Sequence, residues 1–331
     1  MIRIDYPKDR QRLKESYLKV FKSYNKLQRM QDEWDELRET HTSLLLFPPS
    51  LDTILVAEYP DLIRYYNLYK RIPNEERKLM KEKLKDIFNY EDRHDLIVKF
   101  LVDPRNNIPI HTCHYCDMSY INMYEDNDSD KGWRIQFDLD HVLDKGACPI
   151  VALSLFNFVP SCSVCNSRLK GSRQLVGKDG QYKEELSPTS PKYAFDENVD
   201  IVMVMKVGSD WTLPTEHRED YAVEFDSHDS EYQQVIDMFR LQERYDYHRI
   251  EGLRVMELKR KYRSSSIAMM ANAMKGFPGF APENIWEDIF GERFMTEQHR
   301  CFSKFLKDMM KLGPNLKSDN KVKPIKKRII Q

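Results

Sequence analysis

Between Tyr17 and Leu37 apolar side chains return every three or four residues, at Tyr17, Phe21, Tyr24, Leu27, Met30, Trp34 and Leu37, while the intervening positions carry mixed charge. That period predicts a single long amphipathic helix over 8–40, with Pro7 suited to its first turn and Phe47-Pro48-Pro49-Ser50 closing the unit. Shorter patterns of the same period predict helices at 61–71, 75–88 and 91–102. Residues 1–104 therefore read as a helical region without a catalytic signature. Its apolar stripe serves either as internal core or as a face on which a partner docks.

The texture changes at Asp103-Pro104. Residues 105–175 alternate short apolar runs, turns and cysteines, and 176–194 form a loop rich in Gly, Ser and Pro. In 195–314, two β-type runs (199–207 and 221–225) precede helical patterns at 231–263, 283–290 and 293–312. The tail, 315–331, holds six basic residues and one acid. The fold class expected is α+β, with a small cysteine-rich module between a helical N-terminal region and a mainly helical C-terminal region carrying a β-hairpin.

Composition narrows the function. At 331 residues and 41% apolar content the chain is long enough for two domains with real cores. No stretch approaches the ~18 apolar residues of a membrane span, and the first residues lack the apolar core of a secretory signal, so a cytoplasmic protein with no membrane partner is expected. The net charge is −1. Any contact with nucleic acid must then come from local basic residues.

Four of the six cysteines form two C-x-x-C pairs, Cys113/Cys116 and Cys162/Cys165. A thioredoxin-like redox role needs one such pair at a helix start in a βαβ setting, which the pattern lacks, whereas four thiolates complete a tetrahedral zinc site. Between the pairs, Asp140-His141 follows a strand-like Ile135-Gln136-Phe137, and Asn166 directly follows the last cysteine at an expected helix start. A carboxylate and an amide oxygen suit a hard cation, and a neutral imidazole suits a general base near pH 7. A zinc at the cysteines would draw strand end and helix start together. An imidazole facing such a site is expected to support little of the core.

The run Cys-x-x-Cys-Asn-x-x-x-Lys-Gly (162–171), with Asp140-His141 and Asn157 before it, resembles the HNH or ββα-metal endonucleases, in particular the zinc-clamped type typified by phage endonuclease VII. The resemblance covers about 110–172. It implies that Cys113, Cys116, Cys162 and Cys165 hold structural zinc, that Asp140 and Asn166 ligate a catalytic Mg²⁺ or Mn²⁺, and that His141 activates water. It further implies that Asn157 holds the loop and orients the histidine, and that Lys170, with Arg168 and Arg173, lies near a substrate phosphate. The family commonly has Pro two residues after the Asp-His pair, where this chain has Leu143. In overall layout, with Asn157-x-Val159-Pro160-Ser161 ahead of the second knuckle, the chain is similar to the HNH subunit of Septu-type antiphage systems. This likeness implies an ABC-type ATPase partner.

The function expected on that resemblance is metal-dependent hydrolysis of phosphodiester bonds in DNA, or in RNA such as tRNA, by the nuclease effector of an ATPase-containing antiphage complex. Two alternatives stand beside it. A stand-alone restriction or homing nuclease would show a basic DNA-reading domain, and none is evident. A non-catalytic zinc-binding interaction module would need none of Asp140, His141 and Asn166. Within 105–175 seven Lys and Arg face eight Asp and Glu, so binding energy for a polyanion is expected from elsewhere. The sources considered are 259–263, the basic tail Lys317–Arg328, and a partner subunit.

Overall fold

The computed structural model describes residues 1–22, 26–129, 132–205, 215–291 and 300–311. They belong to two compact units, Met1–Phe195 and Asp196–Gln331. Helices and small antiparallel hairpins make up both, a mixed α/β composition. No described helix is long and apolar enough to cross a membrane.

The first unit begins with α1 (Arg10–Lys19), whose N-terminus is capped by the Asp9 carboxylate accepting from the Arg12 N–H. The single helix expected over 8–40 is instead two, because the backbone tightens after α1: Val20, Phe21 and Lys22 each donate to the carbonyl three residues back. The chain resumes as α2 (Lys26–Thr40), with the Leu27 N–H on the Phe21 carbonyl. The bend gives each half of the stripe its own partners. Tyr17 meets Phe100 edge-on at 5.0 Å, and Trp34 meets Phe88 at 5.9 Å and Phe47 at 6.4 Å. Tyr17, Phe21, Met30, Trp34 and Leu37 are all buried, so this face is internal core rather than a docking surface; Tyr24 lies outside the described residues.

Helices α3 (Leu51–Leu55), α4 (Tyr59–Arg71), α5 (Asn74–Ile87) and α6 (His94–Val102) follow. They share a core with the cysteine-rich segment, a result the sequence boundary at 104/105 does not suggest. Tyr17 Oη donates to the Leu153 carbonyl at 2.7 Å, and Ser154 Oγ to the Ile54 carbonyl at 2.9 Å, both buried. Two hairpins come next. Strands β1 (Met123–Glu125) and β2 (Trp133–Ile135) pair antiparallel, as do β3 (Asp138–His141) and β4 (Phe158–Ser161), with Asp140 opposite Val159 and His141 opposite Phe158. The strand expected at 135–137 is thus displaced: Ile135 closes β2, and Asp140-His141 form the last two residues of β3.

After β4 the chain enters a wide π-helical turn, Val164–Lys170, in which the Gly171 N–H reaches back five residues to the Asn166 carbonyl at 2.7 Å. Gly171 ends it at φ +53°, ψ −128°, a conformation that a Cβ would strain.

Helix α7 (Phe195–Asn198) begins at the last residue of the first unit, and the second unit continues with the hairpin of β5 (Val199–Met205) and β6 (Tyr221–Ser227). The stretch expected to be helical over 231–263 divides into α8 (Tyr232–Met238), α9 (Leu241–Tyr247) and α10 (Arg249–Lys261), broken by Arg240 in the left-handed region (φ +48°) and by His248. Helices α11 (Ser264–Ala273), α12 (Pro282–Phe290) and α13 (Ser303–Lys311) complete it. The buried Asp308 carboxylate ties α13 to β5, accepting from the Ile201 N–H at 3.0 Å and from Lys304 Nζ at 3.1 Å. The basic tail 315–331 lies outside the described residues.

Candidate metal centre and adjoining cleft

Two turns bring the cysteines together. The first knuckle closes on itself through the Asp117 N–H to the Cys113 carbonyl (2.8 Å), with Asp117 left-handed at φ +54°. The second leaves β4 and enters the π-helical turn, the Asn166 N–H bonding the Cys162 carbonyl at 3.0 Å. The four Sγ atoms of Cys113, Cys116, Cys162 and Cys165 lie within 4.8 Å of one another, Cys116 and Cys162 at 3.9 Å, and all four residues are buried. Tetrahedral zinc with Zn–S bonds of about 2.3 Å requires sulfurs about 3.8 Å apart. The donor set and its compactness fit that ion. His114 sits inside the first knuckle but turns elsewhere: Nδ1 donates to the Ile2 carbonyl at 2.9 Å, and burial lowers its pKa to about 4.

Beside the cluster lies a cleft of about 660 Å³ whose walls include Asp138, Asp140, His141, Asn166, Lys170 and Arg173. Strand alternation puts Asp138 and Asp140 on one face of β3. Asp140 is buried and receives Tyr115 Oη on Oδ2 at 2.6 Å and Lys170 Nζ on Oδ1 at 2.9 Å. Burial pushes its pKa up, and Lys170, Tyr115 and the His141 backbone pull it back. Tyr115 lies between Cys113 and Cys116, so the cysteine cluster anchors Asp140 through one phenol.

The His141 ring is also buried. Tyr90 meets it edge-on at 4.5 Å and Phe158 at 5.1 Å, and Nε2 donates to the Ala152 carbonyl at 2.9 Å. The lone pair therefore resides on Nδ1. Burial lowers the imidazole pKa to about 3, and the Lys145 ammonium adds to that effect. The expectation that this ring contributes little to the core is incorrect, because it is wedged between two aromatic rings.

Asn157 does not face the cleft. Fully buried, it bridges the two ends of the loop that carries Ala152: Nδ2 donates to the Leu143 and Val151 carbonyls (both 3.0 Å), and Oδ1 accepts from the Leu143 N–H at 2.8 Å. Asn166, expected at a helix start, sits in the π-helical turn with Nδ2 donating to Asp138 Oδ2 at 3.2 Å, joined there by Ser167 Oγ at 3.0 Å. That orientation leaves the Asn166 amide oxygen as the free donor atom. With Asp140 accepting from Tyr115, Lys170 and the His141 backbone, three bonds of about four possible, a carboxylate lone pair and an amide oxygen remain that fit a hard cation.

The basic residues depart from the expected picture. Lys170 is buried against Asp140 and the His141 carbonyl (3.2 Å) instead of standing free for a phosphate. Arg173 lines the cleft, but its guanidinium bonds the Lys170 and Leu169 carbonyls. Arg168 is exposed and does not line the cleft. Sequence reasoning also missed several wall residues. Asp138 was detectable from its position two residues before Asp140. Tyr90, with Lys145 Nζ 3.9 Å from its ring centre and 2.7 Å from Glu91 Oε1, carries no local signal.

No family model, no curated protein and no solved structure matched the chain.

Proposed function

We propose that the chain is a metal-dependent endonuclease of the HNH type that hydrolyses phosphodiester bonds in nucleic acid. One observation carries the reading. Asp140, His141 and Asn166 line one cleft beside four clustered cysteines, with the His141 Nε2 proton committed to Ala152 and its Nδ1 left as a neutral base. A structural zinc site needs none of these three.

Asp140 and Asn166 would hold Mg²⁺ or Mn²⁺, which supplies charge neutralisation at the phosphoryl oxygens and the departing 3′ oxygen. His141 Nδ1 takes a proton from the attacking water, and the Ala152 carbonyl holds the ring in the tautomer that makes this possible. Asn157 fixes the loop bearing that carbonyl. Tyr115 fixes the Asp140 carboxylate.

The substrate is brought by a partner, in our reading an ATPase subunit of an antiphage complex. Its support is the charge of the cleft, where Glu91, Asp138, Asp140 and Asp144 outnumber Lys145, Lys170 and Arg173. A surface of that balance offers few of the phosphate contacts on which nucleic-acid affinity rests.

The test uses protein affinity-purified from its own host with any bound partner, incubated with Mg²⁺ or Mn²⁺ and duplex DNA, single-stranded DNA or tRNA. Cleavage leaving 5′-phosphate ends is expected. It should be lost in His141→Gln, which keeps an N–H for Ala152 but is no base, while zinc content stays at the wild-type value. Cleavage by His141→Gln at the wild-type rate, or no cleavage of any substrate by the wild type, overturns the reading.

A further inference from the structure

Lys170 and Asp140 form an ion pair at 2.9 Å in which the side chains are 6% and 5% exposed. Most ion pairs among the described residues lie at the surface, where such a pair contributes little. This pair instead removes two charges from water, and it lies on the carboxylate best placed to bind a cation. The ammonium also donates to the His141 carbonyl at 3.2 Å, so two of its three protons are engaged at the cleft wall.

The charge arithmetic has a consequence. Lys170 cancels Asp140, while His141 and Asn166 contribute no charge. The one charged ligand expected for a divalent cation is thus neutralised by its own lysine, and the negative charge left in the cleft lies on Asp138, Asp144 and Glu91, against Lys145 and Arg173. Lys170 ends the π-helical turn immediately before Gly171, and both residues line the cleft. Its four-carbon stem lets the ammonium shift without moving the backbone.

We propose that Lys170 is the resident counter-cation of Asp140 and competes with the divalent cation for it. A substrate phosphate then promotes metal loading by drawing the ammonium away. This deepens, and rests on, the reading of Asp140 and Asn166 as the cation's ligands. Lys170 changes partner during the cycle, from carboxylate to phosphate. Cation and nucleic acid each raise the affinity for the other by the same factor, as linkage requires. The nuclease would bind its cation weakly until nucleic acid enters the cleft.

The experiment titrates zinc-loaded full-length protein with Mn²⁺, reading free Mn²⁺ by its electron paramagnetic resonance and checking that zinc is retained. Lys170→Gln is expected to bind Mn²⁺ at least ~10-fold tighter than wild type with metal alone, which corresponds to about 1.4 kcal/mol. Asp140→Asn combined with Lys170→Gln should lose that gain. Wild type should bind Mn²⁺ more tightly when phosphorothioate DNA or RNA oligonucleotide is added. Equal or weaker Mn²⁺ affinity in Lys170→Gln overturns the competition and leaves the metal-site reading intact. No Mn²⁺ binding by either protein, with or without oligonucleotide, overturns both.

Should Lys170→Gln not fold, the wild type alone decides the matter. Acylation of the Lys170 amine, quantified by peptide mass spectrometry, is expected to rise several-fold on adding Mn²⁺, and unchanged labelling overturns the proposal.

Discussion

Replacing Asn157 by Ala should cost more stability than its small size suggests. Its side chain makes three buried hydrogen bonds, two donated by Nδ2 and one accepted by Oδ1, all to backbone groups of one loop. Ala leaves the Leu143 N–H and the Leu143 carbonyl without partners in a buried site, while the Val151 carbonyl keeps the Ser154 N–H at 3.3 Å. Each orphaned group costs about 1–3 kcal/mol. Taking ~1.5 kcal/mol each gives about 3 kcal/mol, before any cavity contribution. For a unit of this size, each kcal/mol lowers Tm by roughly 2–4 °C, so a fall of about 6–12 °C is expected by calorimetry. Asn157→Asp should be no better: it keeps the acceptor for Leu143 but turns a carboxylate toward two carbonyls. Cleavage should fall further than stability does, because the same loop carries the Ala152 carbonyl that fixes His141. A Tm loss under about 3 °C for Asn157→Ala, measured on zinc-loaded protein, would show that the loop does not depend on these bonds.

Elemental analysis should find about one zinc per chain. Its removal by a strong chelator should abolish the cooperative transition of the first unit, since such sites contribute folding energy directly; a fully folded zinc-free protein contradicts this. Stability should also decline in acid well before the carboxylates titrate. The folded-state values of His141 (about 3) and His114 (about 4) lie below the ordinary 6.5. The unfolded chain therefore takes up protons that the native state refuses, and stability present above pH 6.5 is lost as pH falls toward 4. Between pH 6.5 and 5 each histidine should cost about 1.5–2 kcal/mol. Urea titrations at the two pH values measure the loss, and His141→Gln should remove about 1.5 kcal/mol of it; an unchanged pH dependence in that variant refutes the assignment.

The cysteine cluster was legible in the sequence because a C-x-x-C spacing fixes local geometry. That Asp140, His141 and Asn166 come together in one cleft was legible too, although neither the exact strand nor the wide turn was foreseen. What escaped was set by tertiary packing. The spacing of three or four residues runs on across the end of α1 through Tyr24 and Leu27, so spacing alone did not reveal the break; the phase does shift there, because the nine residues from Phe21 to Met30 span about two and a half helical turns. The break at Arg240 places a residue other than glycine in the left-handed region, which no local signal announces. Lys170 read as a free cation because its partner lies thirty residues back in the chain, on another element. His141 read as exposed chemistry because Tyr90, which covers it, comes from the helical region.

That last contact bears on modularity. The cysteine-rich segment looks like a cassette that could be cut out and moved between proteins. Yet Tyr90, Glu91 and His94, from outside the segment, form one wall of the cleft, and the loop beneath His141 is held by Tyr17 and Ser154 bonding across the same boundary. A fragment beginning at residue 105 would carry every expected ligand and still lack the side of its cleft that Tyr90, Glu91 and His94 supply. In this protein the helical region is part of the cleft wall, and moving the cleft elsewhere means moving the first 104 residues with it.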